Sequence, residues 1–144
     1  MDKTQLVEQL KRLLANTFAL GLKAQNYHWN VTGPNFAQYH EFFGSFYEEV
    51  NGSIDATAEE IRKLGAFTPA SFSRFSELTS IADETSIPEA GVMFVRLAND
   101  NDKVIQNLYN ARKIADEIGA FGTVNYLEER ISAHEKHAWM LKSF

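Results

Sequence analysis

The feature that most constrains the fold is the spacing of the apolar side chains, which recur every three or four residues along four long runs. These runs fall within residues 6–31, 39–64, 94–118 and 124–141. Because this spacing places the apolar side chains on one face of an α-helix, it predicts four long amphipathic helices. No stretch alternates apolar and polar residues as a half-buried strand would, so we expect an all-α protein.

Glycines mark where the helices end. Gly33, followed by a proline, separates the first run from the second, and Asn35 is the expected capping residue of the second helix. Gly65 and Gly119 are the expected ends of the second and third helices. Residues 66–88 form a long connection in which the segment SRFSEL predicts one short helix. Four helices with a long second connection predict a ferritin-like four-helix bundle with a short extra helix between helices 2 and 3.

Length and composition limit the possible functions. A chain of 144 residues is the size of one domain, covering residues 1–144. It has no cysteine, so any bound metal must use nitrogen and oxygen ligands. The net charge of −5 and the lack of a basic run make DNA an unexpected partner. The amphipathic N-terminus is no signal peptide and no run is long enough to span a membrane, so we expect a cytoplasmic protein with no membrane contact.

Two histidines and two carboxylates are the candidate metal ligands. Asp55 and Glu59 lie four residues apart, on one face of the second helix and beside its buried side. His28 and His40 lie near the neighbouring ends of the first and second helices. Imidazole nitrogens with carboxylate oxygens suit Fe, Mn or Zn. The alternative is that the carboxylates are solvated and paired with the following basic residues, while the histidines only fill space.

One chain does not easily bring these four residues together. Asp55 lies 15 residues after His40, which is about 22 Å along a helix. A symmetric dimer solves this problem, because a two-fold axis places the start of one second helix beside the middle of its copy. Glu-x-x-His pairs, which would build a di-iron site inside the bundle, are absent. His134 and His137 are interpreted as structural residues of the last helix.

Three segments resemble the Dps family, the dodecameric mini-ferritins, and the resemblance covers the whole chain. They are AQNYHWNVTGPNFAQYHEFF, EEVNGSIDATAEEIRKLG and ISAHEKHAWMLKSF. The resemblance implies a ferroxidase centre at the two-fold interface of a homo-oligomer, where His28 and His40 of one subunit face Asp55 and Glu59 of its neighbour. It also implies that Trp29, beside the centre, intercepts radicals. Packing is the alternative role for this indole.

The same resemblance implies an activity. Members of the family bind Fe(II), oxidise it to Fe(III), preferentially with hydrogen peroxide and otherwise with O2, and store the ferric mineral inside their shell. The protein would then be a ferroxidase that protects against oxidative damage. Zn(II) is the alternative metal for the same ligands.

The sequence departs from the family pattern at the second metal site. Gly44 stands one helical turn after His40, where the family usually carries Asp or Glu. Glu48, one turn further, is a candidate replacement ligand that would use the space left by Gly44. The alternative is that Glu48 is solvated. Ala120 and Asn125 also stand where acids are common in the family's pores. The alternative function is therefore a metal-sequestering cage with weak or no ferroxidase activity.

Overall fold

Four helical rods form a bundle in the computed structural model, which describes residues 2–144. The helices are α1 (Thr4–Asn30), α2 (Phe36–Gly52), α3 (Ile54–Lys63), α4 (Phe72–Leu78), α5 (Ala90–Glu117) and α6 (Phe121–Leu141). The rods are α1, α2 continued by α3, α5, and α6, whereas α4 is the short helix in the long connection. No strand occurs within residues 2–144. The predicted all-α, ferritin-like bundle with a short extra helix is confirmed.

The core consists of the apolar side chains that recur every three or four residues in the sequence. α1 is the central rod, because it packs on α2, α3, α4 and α5, while α6 packs mainly on α5. Each fully buried Leu, Ile or Phe side chain contributes roughly 1.5–3 kcal/mol of transfer free energy, so this shared core dominates the stability of the bundle. The largest side chains that are almost completely buried include Leu10, Leu13, Leu20, Tyr27, Phe43, Phe46, Ile61, Leu97 and Leu108.

The second rod is bent at Ser53, where one continuous helix was predicted. The Ser53 hydroxyl donates a hydrogen bond to the carbonyl oxygen of Val50 at 2.7 Å, and the Tyr126 hydroxyl donates to the carbonyl of Ser53 at 3.0 Å. Hydroxyl groups that occupy helical carbonyls bend helices, and Gly-Ser pairs such as residues 52–53 are frequent kink positions. The bend separates α3, which carries Asp55 and Glu59, from the start of α2.

The turn glycines behave as predicted, and Asn35 does so in part. Gly65 and Gly119, just beyond the ends of α3 and α5, have φ angles of 89° and 73°, values that suit glycine at helix ends. Asn35 is the N-cap residue of α2 but makes no side-chain capping bond. Its amide nitrogen instead donates to the Tyr39 hydroxyl at 3.3 Å. The predicted N-cap position of Asn35 is therefore confirmed, but its side chain makes no capping hydrogen bond.

Two polar contacts cross the interior of the bundle. Lys23 and Asp100 form an ion pair of 2.6 Å in which each side chain is 7% exposed, and it joins α1 to α5. Asn101 accepts a hydrogen bond from Nδ1 of His134 at 2.8 Å and donates to the His134 carbonyl at 2.9 Å. Breaking a buried pair of this kind strongly destabilises a fold, because it leaves an uncompensated polar group.

No helix within residues 2–144 is long and apolar enough to cross a bilayer.

Acid is expected to destabilise the bundle through His134. Burial lowers the pKa of this imidazole to about 3, and the neighbouring Arg130 guanidinium acts in the same direction. In the unfolded chain the His134 pKa returns to its ordinary value near 6.5, so between about pH 6.5 and 3 the unfolded state binds more protons and stability falls as the pH decreases. We expect this group alone to remove about 2 kcal/mol of unfolding free energy between about pH 7 and 5.

Denaturant unfolding at several pH values and a fixed protein concentration measures this effect. The control is His134→Gln, in which the free energy of unfolding should depend less steeply on pH by about one proton over the same interval. Equal slopes in the two proteins would contradict the assignment.

Candidate metal centre

The turn between α1 and α2 brings His28 and His40 face to face. Their ring centroids lie 3.9 Å apart with an angle of 13° between the planes. The Nδ1 atom of each ring lies 2.6 Å from the backbone carbonyl oxygen of the other residue. Because a carbonyl oxygen only accepts, each Nδ1 carries the proton and donates. In the neutral imidazole the lone pair is then on Nε2, where a metal would bind, and the bond from Nδ1 to the carbonyl fixes the orientation of the ring.

Gly44 provides the space in which the His28 ring sits. A Cβ atom at position 44 would lie 2.7 Å from Cε1 and 2.9 Å from Nδ1 of His28. Both distances are shorter than real Cβ contacts, so any side chain at this position requires the imidazole to move. The space beside Gly44 thus holds His28 and not Glu48, which is exposed on α2. A ligand role for Glu48 stays a prediction.

Asp55 and Glu59 lie on α3 with their side chains exposed to solvent. Neither forms a salt bridge with any residue in the range 2–144. Of the following basic residues, Lys63 contacts Glu60, and Arg62 donates to the carbonyl oxygen of Ala66 at 3.1 Å. The structure therefore does not show the alternative arrangement, in which these bases form ion pairs with the two carboxylates.

In one protomer, these four residues lie in two separate regions of the surface. We call His28 with His40 the histidine half-site, and Asp55 with Glu59 the carboxylate half-site. Among residues 2–144, no three His, Asp or Glu side chains lie close enough together to hold a metal ion. Each half-site alone offers only two ligand side chains, and a metal site needs three or four. A second copy of the chain is the simplest source of the missing ligands.

Apolar side chains surround the histidine half-site. Trp29 is 64% exposed, Phe72 is 84% exposed, and the Phe36 ring stacks on His40 with centroids 5.1 Å apart. Trp29 also lines a groove of about 420 Å³ between α1 and the α4 connection. Large apolar side chains grouped on a surface mark a site of protein contact. Within the protomer the indole does little packing, so the packing alternative for Trp29 requires a neighbouring subunit.

The remaining two histidines lie inside the bundle, away from this surface. Nε2 of His134 accepts from Arg130 at 3.0 Å, and Nε2 of His137 donates to Glu49 at 2.7 Å. The Arg130 guanidinium and His137 hold the pKa of the Glu49 carboxyl far below its usual range, with the hydrogen bond from His137 as the first cause. These contacts link α2 to α6 and, with the Asn101 bond, occupy both ring nitrogens of His134 and Nε2 of His137.

Comparison with known proteins identifies the family to which this architecture belongs. The sequence profile of the ferritin-like domain family matches residues 7–144. The DNA protection during starvation protein of Brevibacillus brevis is 37% identical over 135 residues, covering 94% of this chain and 91% of that protein. The crystal structure of a Dps protein from Bacillus brevis has a TM-score of 0.95 and 35% identity, covering 100% of this chain and 99% of the other.

A Dps protein from Vibrio cholerae, described as a member of a broad superfamily of ferritin-like diiron-carboxylate proteins, has a TM-score of 0.94 and 28% identity over 98% of this chain and 89% of its own. The bundle thus defines a protein of the ferritin-like class. Within that class, the chain belongs to the Dps family, and the resemblance found in its sequence is confirmed.

Sequence reasoning missed one unusual carboxylate next to the carboxylate half-site. Glu60 is only 4% exposed, although it is a charged residue near the end of a surface helix. The sequence contained the signal, since Glu60 lies three residues after the buried Thr57 and directly before the buried Ile61. These three positions share one helical face.

Proposed function

We propose that the protein is an iron-storing ferroxidase whose catalytic centre forms between two copies of the chain. His28 and His40 of one subunit would bind Fe(II) together with Asp55 and Glu59 of its neighbour across a two-fold axis. The assembly would be a dodecameric cage in the cytoplasm that stores ferric mineral and limits oxidative damage. Zn(II) suits the same ligands and would compete with iron.

The observation that carries this proposal is the preorganised histidine half-site. Each imidazole donates from Nδ1 to a backbone carbonyl, and its Nε2 atom makes no hydrogen bond to the described residues; metal-binding histidines show this arrangement. The two rings lie at a partly exposed surface, and their Nδ1 bonds to each other's backbone hold them at a fixed distance and orientation. The missing oxygen ligands are supplied by two exposed, unpaired carboxylates of the partner.

The ligands also explain which step the site would favour. Imidazole and carboxylate ligands stabilise Fe(III) as well as Fe(II), so an iron held there gives up one electron readily. Hydrogen peroxide takes one electron from each of about two Fe(II) ions and, with two protons, is reduced to water. A pairwise transfer avoids hydroxyl radical, and Trp29, which follows His28 in the chain, would intercept any that forms. O2 would be the slower oxidant.

One observation favours a weaker second iron position, and with it the alternative of a cage that mainly sequesters metal. The family's usual acid after the second histidine is replaced by Gly44, and the His28 ring fills the space there. A second iron would then depend on Glu48 or on water. Slow oxidation with intact metal binding would support this alternative.

An anaerobic Fe(II) titration followed by hydrogen peroxide tests the proposal. We expect tight binding and rapid ferric absorbance with about two Fe(II) oxidised per peroxide, both lost in His28→Ala because the site loses one of its two imidazole ligands. Asn35→Ala, an exposed substitution in the same turn, is the control and should behave as the unmodified protein. Equal oxidation in His28→Ala would refute the proposed centre, and binding without fast oxidation would select the sequestering cage.

A further inference from the structure

The carboxylate half-site has no contact of its own that orients it. Within residues 2–144, the side-chain hydrogen bonds of α3 are made by Thr57 and Arg62, and neither Asp55 nor Glu59 forms a hydrogen bond or a salt bridge. The positions of these two carboxylates therefore depend on where the backbone of α3 lies. Because a metal tolerates a change of only about 0.2 Å in a ligand distance, whatever fixes the direction of α3 also fixes the half-site.

One hydroxyl group of α6 holds the bend from which α3 starts. The Tyr126 hydroxyl donates to the backbone carbonyl of Ser53 at 3.0 Å and lies 2.6 Å from the Thr57 hydroxyl. The Ser53 carbonyl also accepts from the backbone N–H of Thr57 at 3.1 Å. Ser53 and Thr57 are 7% and 1% exposed, so the phenol, and not water, is their partner outside α3.

These bonds are the polar connection between α3 and α6. α3 packs mainly on α1, and within residues 2–144 Tyr126 makes the only side-chain hydrogen bonds that join α6 to residues 53–63. The Tyr126 ring is partly buried and packs against the core of the bundle, so its own position is fixed. Without the hydroxyl, the first turn of α3 would be free to change its angle to α2 and α6.

A small change in that angle displaces the two carboxylates. Asp55 and Glu59 are each two residues from Thr57, a rotation of about 200°, so they project from the opposite face of α3. Glu59 also lies six residues beyond Ser53, which is about 9 Å along the helix. Turning α3 by about 10° would move Glu59 by roughly 1.5 Å, several times the change that a metal tolerates in a ligand distance.

We propose that Tyr126 is a positioning residue of the iron centre. Its hydroxyl is shared between the Ser53 carbonyl and the Thr57 hydroxyl and sets the direction in which α3 leaves the bend. This direction places the carboxylate half-site opposite the histidine half-site of the neighbouring subunit. The inference rests on the proposed function and deepens it, because it assigns the orientation of the carboxylates to a residue of another helix that is not itself a ligand.

Tyr126→Phe removes this hydroxyl and little else. The Thr57 hydroxyl keeps its own bond to the Ser53 carbonyl at 2.9 Å, so no buried polar group is left without a partner and the variant should fold. In an anaerobic titration of the assembled protein, we expect the affinity for Fe(II) to fall at least about tenfold. Tyr109→Phe, which removes an exposed phenolic hydroxyl that joins α5 to Glu135 of α6, is the control and should leave the affinity unchanged.

Amide hydrogen exchange in the metal-free protein gives a readout that does not involve iron. The amides in the first two turns of α3 should exchange faster in Tyr126→Phe, because the bond that holds this end of the helix to α6 is lost. The amides around His28 in α1 should exchange at the unmodified rate. Unchanged exchange in α3 would overturn the proposal.

Mixtures of variants separate the positioning of the carboxylates from general damage to the chain. When Tyr126→Phe is refolded together with His28→Ala, about a quarter of the sites combine intact histidines of the first chain with well-placed carboxylates of the second. These sites should bind Fe(II) with the unmodified affinity. In a mixture with Asp55→Ala, no chain offers well-placed carboxylates, so no tight sites should form. General damage to the Tyr126→Phe chain would remove the tight sites from both mixtures.

Thr57→Val is a second variant that decides the question if Tyr126→Phe fails to assemble. It removes one of the two contacts of the Tyr126 hydroxyl, so the same pattern in the two mixtures should appear with a smaller loss of affinity. Unchanged affinity in Tyr126→Phe, or tight sites in both mixtures or in neither, would overturn the role of Tyr126. A failure of the proposed iron centre is distinguishable, because His28→Ala would then bind Fe(II) as the unmodified protein does.

Discussion

Mixing two inactive variants, His28→Ala and Asp55→Ala, is expected to restore iron oxidation at about a quarter of the wild-type sites. Each variant alone damages every site, because under the proposed arrangement each site takes its histidines from one subunit and its carboxylates from the other. In a mixed dimer, the Asp55→Ala chain still has both histidines and the His28→Ala chain still has both carboxylates. These two halves form one intact site, while the second site of the same dimer carries both defects.

The expected fraction follows from random pairing. In an equal mixture about half of the dimers are mixed, and each has one intact site out of two, which gives about one quarter. The mixture should be assembled by refolding the two variants together, so that the subunits pair at random. The rate of ferric absorbance after peroxide addition measures the recovered sites.

A matched mixture tests the geometry. His28→Ala with His40→Ala combines two lesions in the histidine half-site, so neither chain offers an intact histidine pair and no activity should return. Recovery in this control, or none in the His28→Ala and Asp55→Ala mixture, would contradict a centre shared across the two-fold axis.

Restoring the family's usual acid with Gly44→Asp is expected to weaken the metal centre, contrary to what the sequence pattern alone suggests. A Cβ atom at this position would lie 2.7 Å from the His28 ring, so the imidazole must leave its place and lose the hydrogen bond to the His40 carbonyl. We expect the affinity for Fe(II) to fall at least about tenfold, the range seen when the orienting bond of a metal-binding histidine is lost.

Gly44→Ala separates the steric effect from the charge, and Gly52→Ala is its control. Both glycines lie in α2, but a Cβ atom at Gly52 would have no neighbour within 4 Å. Alanine favours a helix over glycine by about 1 kcal/mol, so both variants should fold. Fe(II) affinity should fall in Gly44→Ala and stay unchanged in Gly52→Ala. Faster oxidation in Gly44→Asp than in the unmodified protein would show that His28 moves aside freely.

The fold could be predicted from the sequence because burial and helical geometry act over whole runs of residues. The spacing through Leu10, Leu13 and Leu20 required a buried helical face, and the structure buries all three. The bend at Ser53 was not predicted, since the apolar spacing continues through it and only the hydroxyl bonds to backbone carbonyls interrupt the helix. Asn35 likewise has the right residue type for a cap but a different partner.

The residues of the candidate site could be predicted from the sequence, but their detailed geometry could not. Residue chemistry and the family resemblance selected His28, His40, Asp55 and Glu59, and helix geometry indicated that one chain would not bring them together. The tautomers of the two imidazoles were not accessible, because they depend on the positions of two carbonyl oxygens in the folded turn. The role of Gly44 could not be predicted either. A comparison of sequences shows that an acidic residue is missing at this position, but not that the His28 ring occupies the space.

The reciprocal hydrogen bonds of His28 and His40 have a thermodynamic consequence for the assembled protein. They order one half of the ligand set in the isolated protomer, so under the proposed arrangement the step that completes the coordination sphere is the docking of a neighbour. Iron loading and subunit association are then linked equilibria, and each must favour the other by the same factor. A cell that withdraws iron would loosen the interface, and one that supplies iron would tighten it.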